Sequence, residues 1–345
     1  MRRNGISSNA SWRKPVAEAR RTLGMGEQEA VEGATVEAPF GKALAAAAAR
    51  DDRIVGLTAD LGKYTDIVPF ATAYASRFYN VGMAEQNLIA MSAGMAKIGR
   101  VPFCTTYGVF ATRRAYDFVA IACAHSHLNV KIFAGLPGLT TGYGGTHQAI
   151  EDTGLMRLIP GLTVIDPCDA TDLAQAVDVA LATDGPFYVR LLRGLVPVVL
   201  DPATYKLRHG KATALRQGAD VAIVSTGFMT QRALAAANAL QAKGIAAGVL
   251  HVPFLKPFDA AAVAEFAAAA RCVVTAENHV VSGGLASLVA ETLFDAGLTR
   301  PMARIGLPDK FIECGSVPGL QEKYGLMDAD IARAATGLLE KKGRK

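Results

Sequence analysis

The sequence predicts an α/β protein of two domains, each a mostly parallel sheet flanked by helices. Three observations carry that reading. Short β-branched runs alternate with longer Ala-rich segments, the runs are apolar from end to end, and the alternation is interrupted once, just before residue 200. A strand apolar on both sides belongs in a sheet covered on both faces, which is the parallel α/β arrangement. A chain of 345 residues is long enough to bury two such cores.

After a polar stretch to about Glu37, the first block offers strands at Ile54–Thr58, Val101–Thr106, Val130–Ala134, Leu162–Ile165 and Phe187–Leu191. Between them, helices are expected at Gly41–Arg50, Ala84–Ile98, Phe110–Ala124 and Ala170–Ala182. Val196–Gly218 has two prolines, scattered charges and no period, and reads as a linker. The second block offers strands at Val221–Thr226, Ala247–His251, Cys272–Thr275 and Met302–Ile305. Its helices are expected at Gln231–Lys243, Ala260–Ala269, Gly284–Phe294 and Asp328–Leu338. The expected organisation is a flexible basic tail over 1–37, a first domain over 38–195, a linker over 196–217 and a second domain over 218–345.

Composition narrows the functional classes. With 51% hydrophobic, 19% charged and 7% aromatic residues, the chain is neither disordered nor a coiled coil. No apolar run reaches 18 residues, so no membrane span is expected. Five cysteines without paired short spacing fit neither a disulfide framework nor a zinc site. They read as buried thiols of a reducing, cytoplasmic compartment. The net charge of +5 resides in residues 1–22, and with the terminal cluster Lys341, Lys342, Arg344 and Lys345 set aside, the body between is net −4. A nucleic-acid face would need its positive charge on folded surface, so none is expected. The Arg- and Ser-rich segment 1–22 reads as a solvated end, with a transit peptide as the alternative.

Three constellations carry chemistry. In Asn80-Val-Gly-Met-Ala-Glu85-Gln-Asn87, a carboxylate starts a long apolar helix just after a glycine turn. Two readings stand: an acid favoured there by the helix dipole, or a carboxylate immersed in the core. Buried and without a cationic partner, Glu85 would have a raised pKa and could share a proton with a ring nitrogen. In TTYGVFATRRAYD, Tyr107, Phe110 and Arg113 recur at helical spacing after a strand end, where open α/β sheets bind ligands. Such a stripe is either core or a stacking surface for a flat ring. The third is the stretch from Gly135 to Gln148. It holds five glycines in eleven residues and ends in Thr146-His147-Gln148. Glycines let a backbone approach a ligand closely. It contains no Gly-Lys-Ser/Thr, and no dinucleotide fingerprint opens either domain. His125, His127, His209 and His251 read as structural, and His279 is left open.

Taken in order, GLTADL, NVGMAEQN, TTYGVFATRRAYD, GGTHQAIEDTGLMRLIPGLTVIDPCDATD, YVRLLRG, VVTAENHVVSGGLA and EKYGL resemble the C-terminal half of a transketolase over about residues 38–340. The resemblance implies a thiamine-diphosphate-binding pyrimidine domain followed by the family's C-terminal domain. It implies that Glu85 hydrogen-bonds N1′ of the cofactor's aminopyrimidine, favouring the tautomer whose 4′ nitrogen accepts the thiazolium C2 proton. It implies that Tyr107 stacks on that ring, that Phe110 and Arg113 complete the pocket, and that Asp60 lies near the cofactor. His147 then contacts the substrate, and Arg193 binds a substrate phosphate. Glu85 and His147 are the catalytic candidates.

Two departures bear on substrate choice. Tyr143 stands where relatives usually have aspartate, and Gly135 stands near the position of a phosphate-contacting histidine. The chain also lacks Gly-Asp-Gly, which in full-length relatives marks the Mg²⁺-diphosphate site. The expectation is therefore one subunit of a split, thiamine-diphosphate-dependent transketolase that moves a two-carbon ketol unit between sugars, with sugar phosphates as the leading substrates. An N-terminal subunit would supply the Mg²⁺ ligands, and this chain none. A two-fold pair of such units gives an α2β2 heterotetramer. The alternatives are a 1-deoxyxylulose-5-phosphate-synthase-like enzyme, a 2-oxo acid dehydrogenase β-chain-like enzyme, or a non-catalytic partner subunit.

Overall fold

The structure, a computed structural model, describes residues 33–342. The basic segment 1–22, with its transit-peptide alternative, and the side chains of the C-terminal basic cluster lie outside the described residues. The first domain runs β1 (Thr35–Glu37), α1 (Pro39–Ala48), β2 (Ile54–Thr58), α2 (Val68–Ala73), β3 (Phe78–Asn80), α3 (Glu85–Lys97), β4 (Val101–Tyr107), α4 (Gly108–Arg113), α5 (Tyr116–Phe118), β5 (Lys131–Gly135), α6 (Asp152–Arg157), β6 (Thr163–Ile165), α7 (Ala170–Ala182), β7 (Phe187–Leu191) and β8 (Leu195–Pro197). The second runs β9 (Thr213–Arg216), β10 (Val221–Ser225), α8 (Met229–Gln241), β11 (Ala247–His251), β12 (Phe254–Lys256), α9 (Ala260–Ala268), β13 (Cys272–Val280), α10 (Leu285–Asp295), β14 (Met302–Leu307), α11 (Val317–Lys323) and α12 (Asp328–Lys342).

The predicted fold class is the observed one. A seven-stranded sheet has the order β12-β6-β7-β5-β4-β2-β3 and a five-stranded sheet the order β14-β13-β10-β11-β9. Within these two sheets all pairings are parallel except β12 on β6 and β9 on β11, which sit at the edges, and β1 pairs antiparallel with β8 in a separate two-stranded sheet. Strands β2, β4, β5 and β7 are buried along their whole length, as their unbroken apolar runs require.

The domains are welded together. Strand β12 follows β11 of the second domain but completes the sheet of the first. One apolar cluster runs from Leu57, Leu88 and Ile132 through Val164 to Val224, Leu250 and Val289. The linker region is equally tied down. Asp169 caps α7 by accepting from Asp172 N, and its other oxygen accepts from Val199 N and Leu200 N, both at 2.7 Å.

Two expectations are corrected. The single helix expected over Phe110–Ala124 is broken after Arg113 and ends in a π-helical turn at Val119–His125. Arg114, just past the last residue of α4, is still right-handed helical, so it diverges from Arg113 by about the 100° that separates neighbours on a helix. Cys104, Cys123, Cys168 and Cys272 are buried thiols, but Cys314 is exposed, on the segment that packs against the glycine-rich loop. No helix among the described residues is long and apolar enough to cross a membrane.

Lys131, at the start of β5, is fully buried. Its Nζ donates to Thr183 O at 2.7 Å and Gly185 O at 2.8 Å and lies 4.1 Å from the Phe187 ring centroid. Burial lowers its pKa to about 7. Unfolded, the lysine takes its ordinary value near 10.5. Between those values the unfolded chain binds more protons than the folded one. Stability therefore rises with pH from about 7 to 10, by up to about 1.4 kcal/mol per pH unit. Lys131→Met is expected to flatten that slope in melting temperatures recorded over this range. Parallel profiles for the two proteins would contradict the assignment.

Candidate active site

The candidate residues gather at the C-terminal edge of the first sheet, where an open α/β sheet leaves its ligand crevice. Asp60 follows β2, Glu85 follows β3, Tyr107 ends β4, Gly135 ends β5 and Arg193 follows β7.

The Asn80–Glu85 segment fixes the first part. Asn80 and Asp60 are joined twice: Asn80 Nδ2 donates to Asp60 Oδ1 and Asp60 N to Asn80 Oδ1, both at 3.0 Å. Asn80 Oδ1 also accepts from Gly82 N at 3.0 Å. Gly82 has φ of 75°, and so the turn requires a residue without Cβ strain. The chain then enters α3 with Glu85 as its first residue, 2% exposed.

Both sequence readings of Glu85 meet in this geometry. It starts a helix and it is buried. The condition attached to the second reading is not met, because Arg114 Nη1 lies 3.0 Å from both carboxylate oxygens. Arg114 is the residue that sequence reasoning missed. Half exposed, it pairs with Glu85 and places its guanidinium 4.2 Å over the Phe110 ring. Arg113 turns the other way. Its Nε donates to Glu151 Oε1 at 2.5 Å and its Nη1 to Gly145 O at 2.5 Å, and the guanidinium lies 5.3 Å from the Phe311 ring. The structure thus brings Tyr107 and Phe110 together without Arg113, which instead anchors the glycine-rich loop. Only the adjacent pair of arginines in TTYGVFATRRAYD could have signalled this, since neighbours on a helix point about 100° apart and meet different partners.

Four rings form the second part. His147 lies 6.0 Å from Tyr107, 5.6 Å from Phe110 and 5.5 Å from Tyr143, and Tyr107 lies 5.7 Å from Phe110. These are edge-on and tilted contacts, the geometries that ring quadrupoles favour. Burial, reinforced by the charge of Arg114, lowers the His147 pKa, so its ring is neutral near pH 7. Nδ1 sits 2.9 Å from the Thr146 hydroxyl. Burial raises the Tyr107 hydroxyl pKa, keeping it neutral too. A Cβ on Gly135 would lie 3.6 Å from Tyr107 Cδ1 and 3.4 Å from Thr65 Cγ2, so Tyr107 occupies the space beside that strand end.

Arg193 stands across this edge. Its Nε is buried with no hydrogen-bond partner among the described residues, and its charge is felt by Tyr107 and Asp66. Asp66 holds the following turn by accepting from Gly194 N at 2.6 Å. The remaining buried histidines are engaged elsewhere. His251 pairs with Asp172 and Thr230, both at 2.9 Å, and His279 Nε2 accepts from Gly154 N at 3.1 Å. Among the described residues, Cys168, Asp172 and His251 bring potential ligand atoms within 4.8 Å of one another. Asp172 also accepts from Cys168 N and the Tyr205 hydroxyl, so this cluster is a closed hydrogen-bond network.

Fold and site together define a two-domain α/β protein with a carboxylate-and-ring cluster at the edge of its first sheet. Residues 32–199 match the transketolase pyrimidine-binding domain family and residues 210–331 the transketolase C-terminal domain family. The transketolase family protein y4mN of Sinorhizobium fredii is 54% identical over 300 residues, covering 86% of this chain and 87% of that protein. The 6-deoxy-6-sulfo-D-fructose transketolase subunit SqwH of a Clostridium strain is 44% identical over 297 residues, covering 86% and 91%. A solved structure described as a split gene transketolase, inactive beta4 tetramer, superposes with a TM-score of 0.80 at 40% identity, covering 89% of this chain and 99% of that one. The chain belongs to the transketolase family and corresponds to its C-terminal half.

Proposed function

We propose that this chain is the C-terminal subunit of a thiamine-diphosphate-dependent transketolase whose diphosphate-binding half is a separate polypeptide. The observation that carries the reading is Glu85: a buried carboxylate at a helix start, held by Arg114 beside the cluster of Tyr107, Phe110 and His147. The residues fit the pyrimidine half of that cofactor. A flat heteroaromatic ring needs an aromatic shelf and an acid at its edge, and Arg193 has a buried Nε with no hydrogen-bond partner among the described residues. The Mg²⁺ ligands come from the partner subunit. The names of SqwH, a subunit, and of the split gene transketolase support a two-polypeptide enzyme, and α2β2 is the simplest closed assembly.

When bound, the cofactor supplies a carbon nucleophile and electron sink for transfer of a two-carbon ketol unit. This chain's residues bind and orient. Glu85 offers its carboxylate to a ring nitrogen at the edge of the pyrimidine, and Arg114, paired with both of its oxygens, holds that carboxylate in place. Tyr107 and Phe110 offer the stacking face. His147, neutral near pH 7, offers a ring nitrogen to a substrate hydroxyl, and Arg193 meets an anionic substrate group. Asp60, fixed by Asn80, stands at the same sheet edge, after β2.

The test mixes this chain with a diphosphate-binding transketolase chain, thiamine diphosphate and Mg²⁺, and assays ketol transfer from ketose donors. Transfer is expected only in the mixture. Tight cofactor binding and turnover by this chain alone would overturn the split assignment, and no transfer with any donor would favour a non-catalytic partner. In the active mixture, Arg193→Ala is expected to raise KM for phosphorylated sugars about tenfold or more and to leave kcat nearly unchanged. An unaltered preference for phosphorylated over free sugars would remove that role.

A further inference from the structure

The Glu277-Asn278-His279 run of β13 takes no part in the ring cluster, yet it reaches the segment that carries His147. Asn278 is 1% exposed and its side chain crosses to the first domain. Oδ1 accepts from Leu139 N at 2.8 Å, and Nδ2 donates to Pro137 O at 3.1 Å. The other polar group of Leu139 is also taken by the second domain: Gln321 Nε2, on α11, donates to Leu139 O at 3.0 Å. The Leu139 side chain is fully buried in the second domain's apolar cluster, with Ile223, Val274 and Ile312. Both backbone groups and the side chain of one loop residue are therefore held from across the domain boundary.

The fit is close. Gly138 has φ of 54°, and a Cβ there would lie 2.3 Å from Asn278 Cγ. Further along the loop, Gly315 N donates to Gly142 O at 3.1 Å, and Tyr143 bridges antiparallel to Cys314. A stretch with five glycines in eleven residues has little conformational preference of its own. What sets its path is external, and the carboxamides of Asn278 and Gln321 are the buried side chains that do so at Leu139.

We propose that Asn278 and Gln321 are positioning residues: from the second domain they fix Leu139 and thereby set the path of the glycine-rich loop that presents Tyr143 and His147 to the substrate. The functional half of this proposal rests on the reading of His147 given above, whereas the structural half does not. It gives the C-terminal domain a defined part in a site it does not line with Glu85, Tyr107 or Phe110.

The experiment has two arms. In the first, amide hydrogen exchange is followed in the full chain for wild type, Asn278→Ala, Gln321→Ala and Gly138→Ala, the last displacing Asn278 from the loop side. Exchange over residues 136–148 is expected to quicken tenfold or more in each variant, with β4, β5 and β10 unaltered. Unchanged loop exchange, or acceleration spread evenly over the second domain, would overturn the proposal. Gln321→Ala keeps it falsifiable should the Asn278 variant fail to fold, since Gln321 lies on the short helix α11 and not in the central sheet. In the second arm, the mixed subunits are assayed. KM for the ketose donor is expected to rise about tenfold while affinity for thiamine diphosphate stays within twofold, because Glu85 and Tyr107 lie outside the loop. A general packing defect would move both together. A loosened loop with unaltered KM would also overturn the proposal. Wild-type turnover by His147→Ala would instead remove the site reading and leave the exchange result standing.

Discussion

Glu85→Gln in the mixed-subunit enzyme is expected to lower kcat by about 10³-fold, the scale on which a positioned acid or base contributes. The substitution preserves volume and keeps an oxygen for Arg114, which now holds both carboxylate oxygens at 3.0 Å. Melting temperature should therefore move by only a few degrees. What is lost is the negative charge offered to a ring nitrogen. Glu85→Ala should be equally inactive, but less stable, because it leaves a cavity at a position 2% exposed. Near-wild-type turnover in Glu85→Gln would end the assignment. Loss of turnover accompanied by unfolding would point to Glu85 as a structural anchor of α3.

Arg190→Met is expected to be the most destabilising single change. Arg190 is 1% exposed. Its Nε donates to Asp152 Oδ2 at 2.9 Å, its Nη2 to Asp152 Oδ1 at 2.5 Å and its Nη1 to Asp166 Oδ2 at 3.1 Å. Nη2 also donates to Asn278 O at 3.2 Å, across the domain boundary. Burial alone would raise the Asp152 carboxyl, but the charge and hydrogen bonds of Arg190 outweigh it and hold it below the ordinary carboxylate range. Removing the cation strands two buried acids, a loss of about 3–5 kcal/mol. For a chain of this size that is a fall in melting temperature on the order of 10 °C. The triple variant Arg190→Met with Asp152→Asn and Asp166→Asn should recover part of it, since the penalty lies in the unpaired charges. An unchanged melting temperature in the single variant would refute the argument.

Much of this architecture was legible because its causes are local. Strands Ile54–Thr58, Phe187–Leu191 and Ala247–His251, and helix Ala170–Ala182, are found at the bounds that the apolar pattern suggests. Short edge strands such as Phe78–Asn80 and Phe254–Lys256 were not legible. Three residues show no period, and their pairing is decided by the neighbouring strand.

The same division holds at the site. Glu85, Tyr107, Phe110 and His147 announce themselves by residue type and by their place after strands and glycine turns, features written within a few residues of each. The choice of Arg114 over Arg113 as the partner of Glu85 depends on how the end of α4 packs against the start of α3, which the TTYGVFATRRAYD pattern does not encode. The hold of Asn278 and Gln321 on Leu139 spans 139 and 182 residues of chain. Sequence alone determined that this protein is a two-domain α/β chain of mostly parallel sheets, because burial patterns are short-range. Only the tertiary structure decided which charges meet at the candidate site and that Asn278 and Gln321 of the second domain hold Leu139 of the glycine-rich loop, because glycine leaves the path of a loop to whatever packs against it.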